Sequence, residues 1–310
     1  MRIRIKSIFR FIKQVFSEYI ADNVLKYSAS LAYYTILSIA PLLIIILYIT
    51  GILFGQEAIR GEIFGQLKDL VGSSAALDLQ TAIQNIHLSK GSFLATMLGA
   101  IILFIGATGI FGEMQDSLNK IWGLRTKSRK VWWKLLVDRA ISFSLILSLG
   151  FVMIVSLVVN AIVAALSNKI GQLLVGTGEE VLLVLDNLTS LIITTLMFAT
   201  IFKVLPDAKI KWKDVLVGAL ITAVLFILGK YGIGFYLLKS SLTDIYGAAG
   251  SIMIMMIWVY YSSAILYLGA VFTKVYASNY GSKIYPNEYS VWVKIEEIPV
   301  GDVTLNEKIT

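Results

Sequence analysis

The chain contains no cysteine, and its single histidine is His87. The first absence excludes disulfides and thiolate metal sites. The second excludes paired-histidine zinc motifs and any other centre built from several imidazoles. No Ser-His-Asp set can be assembled around His87. The phosphate-binding pattern GxxxxGK[ST] is missing as well, since "LGKYG" lacks the leading glycine and the Ser/Thr. Neither a cofactor nor a resident metal is expected, and no enzymatic activity. Charge is also scarce: Asp, Glu, Lys and Arg make up 15% of 310 residues, against 57% hydrophobic ones. A water-soluble protein needs more charge to cover its surface. With a mean hydropathy of +0.78, the expected solvent is a bilayer.

What the chain has in place of charge is long apolar runs. A helix needs about 20 apolar residues to cross the hydrocarbon. Six segments qualify: 31–54, 91–111, 140–166, 181–205, 215–238 and 247–277. All must be helical, because an open strand edge leaves backbone groups unpaired in lipid. The fold class expected is therefore all-α, a six-span polytopic domain over 1–277 with a tail at 278–310. Lys and Arg alternate between the connections. They are dense before the first span (Arg2, Arg4, Lys6, Arg10, Lys13, Lys26) and between the second and third (Lys120, Arg125, Lys127, Arg129, Lys130, Lys134, Arg139). They are dense again at Lys203, Lys209, Lys211 and Lys213 and in the tail. The third connection has Lys169 alone and the fifth Lys239 alone. This asymmetry places both termini in the cytoplasm. It also accounts for the net charge of +7 without nucleic acid.

The start, "MRIRIKSIFRFIKQVFSEYI", has no unbroken apolar core and no small-residue cleavage site. Ile5, Ile8, Ile12, Val15, Phe16 and Tyr19 recur at helical spacing among basic residues. The pattern predicts an amphipathic helix on an anionic membrane surface. The outer loop 55–90 predicts two short amphipathic helices, with His87 at the end of the second as a surface residue. The tail is polar, carries Pro286 and Pro299, and is expected to be partly disordered.

Two ionisable residues fall inside predicted spans, Asp186 in the fourth and Lys230 in the fifth. At 1.5 Å per residue they lie roughly 7 and 12 Å below the outer boundary. Three readings are open. Lys230 snorkels to the interface, the two form a structural ion pair, or both line an aqueous cavity and touch a substrate. Ser190 and Thr194 follow Asp186 at i+4 and i+8, a polar stripe on one helix face, with Asn187 and Thr195 beside it. Such residues also serve simply to bond the backbone or a neighbouring helix. In the first span Ser30, Tyr34 and Ser38 share a face, and Pro41 predicts a kink at Leu37. At the end of the second, Gly106, Gly109 and Gly112 permit close helix approach. Glu113, Asp116 and Asn119 then form a polar cluster at the cytoplasmic boundary. They could bind cations or pair with the basic loop, and simple interfacial polarity is the plainer reading.

At these residues the chain resembles the YihY/BrkB family of bacterial inner-membrane proteins, also catalogued as ribonuclease BN. The likeness is carried by "ADNVLKYSASLAYYTILSIAPLL" (21–43), "GIFGEMQDSLNKIWGL" (109–124), "LPDAKIKWKDVLVGALITAVLF" (205–226) and "YGAAGSIMIMMIWVYYSSAILYLGAVFTKVYA" (246–277). The resemblance implies six spans and a virulence-associated membrane protein. Its members have been discussed as transporters, including of lipid-like precursors. The expected function is a transporter or flippase-like translocator of an anionic or lipid-like substrate. The alternative is a non-transporting scaffold for envelope proteins. Nothing in the residues supports the ribonuclease label. Membrane lipids are the expected partners, and the oligomeric state is not legible.

Overall fold

The computed structural model describes residues 2–38, 106, 109–127, 178–239 and 248–293. The outer-loop helices, His87, Pro41, the third span and most of the second lie outside these residues. The first span is described only to residue 38 and the tail to residue 293. The described chain is mostly helical. It contains α1 (Arg2–Ala21), α2 (24–38), α3 (109–121), α4 (Gly178–Val204), α5 (Trp212–Lys239) and α6 (Ala248–Asn279). The last three hold apolar stretches long enough to cross a membrane: Asn187–Val204, Trp212–Ile233 and Ile252–Asn279. Each of these helices runs past its apolar stretch at one end or both.

The expectation of an all-helical chain needs one amendment. Two antiparallel ribbons are present, with β1 (Leu124–Thr126) pairing β4 (Ser290–Trp292) and β2 (Ala208–Lys209) pairing β3 (Tyr285–Pro286). The start of the tail, to residue 293, is thus folded back onto the connections after α3 and α4. Its polar composition reflects a hydrogen-bonded edge and not disorder.

Two left-handed residues shape the turns. Asn23 (φ 53°) breaks the path between α1 and α2, a conformation that Asn tolerates better than most residues. Gly123 (φ 68°) ends α3 and directs the chain into β1, where its carbonyl accepts from Val293 N–H at 2.9 Å.

Helices α5 and α6 pack through a reciprocal device. A Cβ on Gly218 would lie 1.8 Å from Thr273 Oγ1, and one on Gly269 would lie 1.8 Å from Thr222 Oγ1. Each threonine fills the notch left by the glycine opposite. Its hydroxyl donates to the glycine carbonyl four residues back on its own helix, at 2.7 Å in both cases. The hydroxyls are therefore satisfied inside an apolar contact. Further along, Gly229 gives the same clearance to the Tyr261 hydroxyl. On the other side of α5, α4 packs with Phe198 edge-on to Phe226 at 5.6 Å.

Helix α1 crosses α6 near its end. Phe11 meets Phe272 edge-on at 5.2 Å, and Val15 is buried. Lys274 Nζ lies 3.0 Å from both Glu18 Oε2 and Asp22 Oδ2. Burial pushes the Asp22 carboxyl above its ordinary value, and Lys274 only partly opposes that rise. A raised acid pKa means the docked helix holds its proton more tightly than the free one. Asp22 therefore favours docking below its ordinary value and loses that contribution as pH rises through the docked value. Hydrogen exchange across residues 11–22 is expected to slow as pH falls into the acid range, after correction for intrinsic rates. Asp22→Asn should flatten the profile; an unchanged slope would show that Asp22 is not its source.

Candidate functional site

The polar residues of the described bundle gather in two places. One is the loop end, where three distant segments meet. Asp207 is buried, and its N–H donates to Asn119 Oδ1 at 2.8 Å. Asn119 Nδ2 donates back to Asp207 Oδ2 at 3.0 Å. Asn287 Nδ2 donates to the other carboxylate oxygen at 3.2 Å, and Ser290 Oγ to the Asp207 carbonyl at 2.6 Å. Close by, Asp214 Oδ2 accepts from Ser282 N–H at 3.0 Å and from its hydroxyl at 2.6 Å. Gly281 leaves room for that carboxylate, since a Cβ there would lie 2.5 Å from it. Simple interfacial polarity therefore does not describe Asn119. It is buried in a closed network whose task is to fasten the chain. Asp116, on the same helix, is exposed.

The second place is the seam between α2, α3 and α6. Trp122 Nε1 donates to the Ala270 carbonyl at 3.1 Å and fixes α3 against α6. Gly109 lies against α2, where an added Cβ would be 3.3 Å from Ser38 Oγ and 4.0 Å from Tyr34 Cδ1. Ser38 is buried and Tyr34 exposed. Further along α3 and α6, Ser117 and Tyr267 are almost wholly buried, and neither hydroxyl completes a hydrogen bond of normal geometry among the described residues. Glu113 is half-buried and has no hydrogen-bond or ion-pair partner among the described residues. The sequence reading names Glu113 but neither Ser117 nor Tyr267. The only cues were a serine four residues after Glu113 and a hydroxyl within "AILYLGAVF".

The fourth- and fifth-span candidates are not brought together with these. Ser190 is exposed, Thr194 half-buried, and the Asp186 side chain lies outside the described residues. Thr195 Oγ1 donates to the Leu191 carbonyl at 2.7 Å, the plain backbone role. Lys230 is exposed, as are its neighbours Leu228 and Tyr231. It has no hydrogen-bond or ion-pair partner among the described residues.

Comparison with known proteins bears on the whole arrangement. The family model of virulence factor BrkB matches residues 15–290. The chain belongs to the virulence factor BrkB family. Among its relatives is a UPF0761 membrane protein of Psychromonas ingrahamii, 28% identical over 278 residues, covering 87% of this chain and 88% of that one. A UPF0761 membrane protein of Vibrio campbellii is 30% identical over 257 residues, covering 81% and 77%. One from Vibrio vulnificus strain YJ016 is 28% identical over 270 residues, covering 85% and 81%. No solved structure matches. The match runs from the middle of α1 to the first residue of β4, so it includes both the closed network and the seam. This is a bacterial-type membrane protein of the BrkB family, with several apolar helices.

Proposed function

We propose that this BrkB-family chain is a non-enzymatic translocator in the bacterial inner membrane, acting on an anionic or lipid-like substrate. The observation that carries the reading is the polar seam between α2, α3 and α6. Ser38, Ser117, Tyr267 and Glu113 place hydroxyls and a carboxylate among otherwise apolar helices. Polar groups buried among apolar helices are costly and mark a candidate binding site. In this reading the chain spans the membrane six times with both ends in the cytoplasm, as the Lys/Arg asymmetry requires. Helix α1 lies in the interface. Ile8, Phe9, Ile12, Phe16 and Ile20 form an exposed apolar face, and Arg10 and Lys13 are exposed beside it. Lys230, exposed and without a hydrogen-bond or ion-pair partner among the described residues, is the cation offered to an anionic headgroup.

The test uses proteoliposomes carrying fluorescently labelled phosphatidylglycerol and an impermeant quencher. The wild-type chain is expected to bring inner-leaflet label outward faster than empty vesicles. Lys230→Ala and Asp186→Ala should each slow this about tenfold, the loss of a contact of about 1.4 kcal/mol. Equal rates in all three proteins would remove both residues from the mechanism. A wild-type rate equal to that of empty vesicles would reject lipid translocation. The non-transporting scaffold has one feature in its favour. Tyr285, Val291, Trp292 and Val293 on the tail ribbon are exposed apolar groups suited to a protein partner.

A further inference from the structure

The tail ribbon stands at the rim of the membrane-spanning helices. Residues 205–211 join the apolar stretches Asn187–Val204 and Trp212–Ile233, so Lys209 of β2 lies just outside both. Tyr285 of β3 is the partner of Lys209 across the ribbon, one strand spacing of about 4.8 Å away. Trp292 of β4 stacks on Tyr285, with ring centroids 5.5 Å apart and planes 28° from parallel. Tyr285 and Trp292 are 50% and 56% exposed, and Trp212, at the start of its span, is 54% exposed. Around these rings Lys209, Lys211, Lys213 and Lys283 are exposed as well. Lys203 is withdrawn from that set, since its ammonium donates to the Ile210 carbonyl and lies 5.7 Å from the Trp212 ring centroid. The carboxylates of the same segments are mostly turned inward. Asp207 and Asp214 are buried in hydrogen bonds, which leaves Glu288 as the exposed one among the described residues.

We propose that this ribbon is a docking surface for the anionic lipid headgroups of the leaflet that borders it. Exposed rings at the end of a span suit the headgroup layer, because Trp and Tyr have an apolar body and a polar edge. Lysines beside such rings lay their stems along apolar surface and hold their ammonium groups toward phosphates. A soluble polyanion would satisfy the lysines and leave the Tyr285–Trp292 pair in water. A neutral protein partner would cover the rings and leave the ammonium groups unmatched. An anionic headgroup layer meets both needs. The ribbon is also tethered where that layer begins, since Asn287 and Ser282 bond to Asp207 and Asp214 beside the ends of the spans. The inference rests on the translocator reading only for the side of the membrane on which the ribbon lies. Holding a headgroup does not require moving a lipid. A chain that binds lipid here and translocates none would overturn that reading alone, and the converse result would overturn this one alone.

The chain has no cysteine, so Val291→Cys puts a single environment-sensitive fluorophore on the ribbon of the full chain. The labelled protein, in a neutral detergent, is titrated with phosphatidylglycerol or with phosphatidylcholine, each carrying brominated acyl chains as contact quenchers. Phosphatidylglycerol is expected to shift the emission to the blue and quench it saturably, and phosphatidylcholine to act at least about tenfold more weakly. Lys209→Gln, Lys211→Gln and Lys213→Gln together should weaken the phosphatidylglycerol response at least about tenfold, since each surface lysine contributes a factor of about five. Arginine at the same three positions should keep it. Inositol hexakisphosphate, a phosphate source without acyl chains, should compete for the lysines and leave the emission unshifted. The proposal is overturned if neither lipid shifts or quenches the label, which would leave the ribbon open to a soluble protein partner. It is also overturned if phosphatidylcholine acts as well as phosphatidylglycerol, or if the glutamine variant responds like the unsubstituted chain. A full blue shift from inositol hexakisphosphate alone would likewise reject a lipid as the occupant.

Discussion

Replacing Asp207 with alanine is expected to destabilise the folded chain by about 2–6 kcal/mol, the cost of orphaning two amide donors. The size follows from what the carboxylate holds. Its two oxygens accept from Asn119 Nδ2 and Asn287 Nδ2. Asn119 and Asp207 are 4% and 2% exposed, so water cannot easily take over. Alanine would leave two amide donors facing a void, each orphan costing about 1–3 kcal/mol. Asp207→Asn should be milder, because one oxygen still accepts while the new amide opposes another. Thermal unfolding of the detergent-solubilised protein should therefore rank wild type above Asn, and Asn above Ala. Identical melting of all three would mean the network contributes nothing. The double variant with Asn119→Ala should cost less than the sum of the two singles, since both break the Asn119 Nδ2–Asp207 Oδ2 bond.

The second large effect is expected at Gly218. Its added Cβ would stand 1.8 Å from Thr273 Oγ1 and 2.9 Å from Thr273 Cβ. Rotating the threonine could move the oxygen, but it cannot move the β-carbon. The hydroxyl would also give up its bond to the Gly269 carbonyl. Helices α5 and α6 must therefore separate, and the overpacking is expected to cost about 1–3 kcal/mol for alanine and more for leucine. The device is reciprocal, so it supplies its own control. Thr273→Gly removes the obstructing atoms, and Gly218→Ala combined with Thr273→Gly should be more stable than the sum of the two single losses predicts. Simple additivity in that cycle would show that the two residues do not meet.

How much of this could be read from residues alone differs by element. The long helices were legible because length and hydropathy are local properties, and α4, α5 and α6 lie where the apolar runs do. The ribbons were not. Strands of two or three residues have no alternation to detect, and β4 finds its partner only through β1, far back in the chain. The role of Asn119 was hidden for the same reason. Its partner is 88 residues away, and nothing near Asn119 records that an aspartate will arrive beside it. Glu113 could be singled out because charge near an apolar run is conspicuous. Ser117 and Tyr267 could not, since a serine and a tyrosine in a membrane helix usually find a backbone or interfacial partner. Their burial without one emerges only when α3 is laid against α6. The glycine–threonine spacing on α5 and α6 was visible, but which glycine meets which threonine depends on the antiparallel register.

The tail ribbon has a consequence for how the molecule comes into being. Residues 282–290 supply Ser282 to Asp214, Asn287 to Asp207 and a hydroxyl from Ser290. These receivers are translated some 70 to 80 positions earlier, as the separations of 68, 80 and 83 residues show. Asp207 must therefore wait, its acceptors unmet by Asn287, until the last helix has left the ribosome and the stretch behind it has emerged. Closure thus follows synthesis of α6, and a chain that stalls or is cut before residue 287 carries an open latch. Such a molecule has its apolar helices and the Asn119–Asp207 pair in place, yet it lacks the closing bonds from Asn287 and Ser290, a difference by which membrane proteases could tell unfinished copies from finished ones.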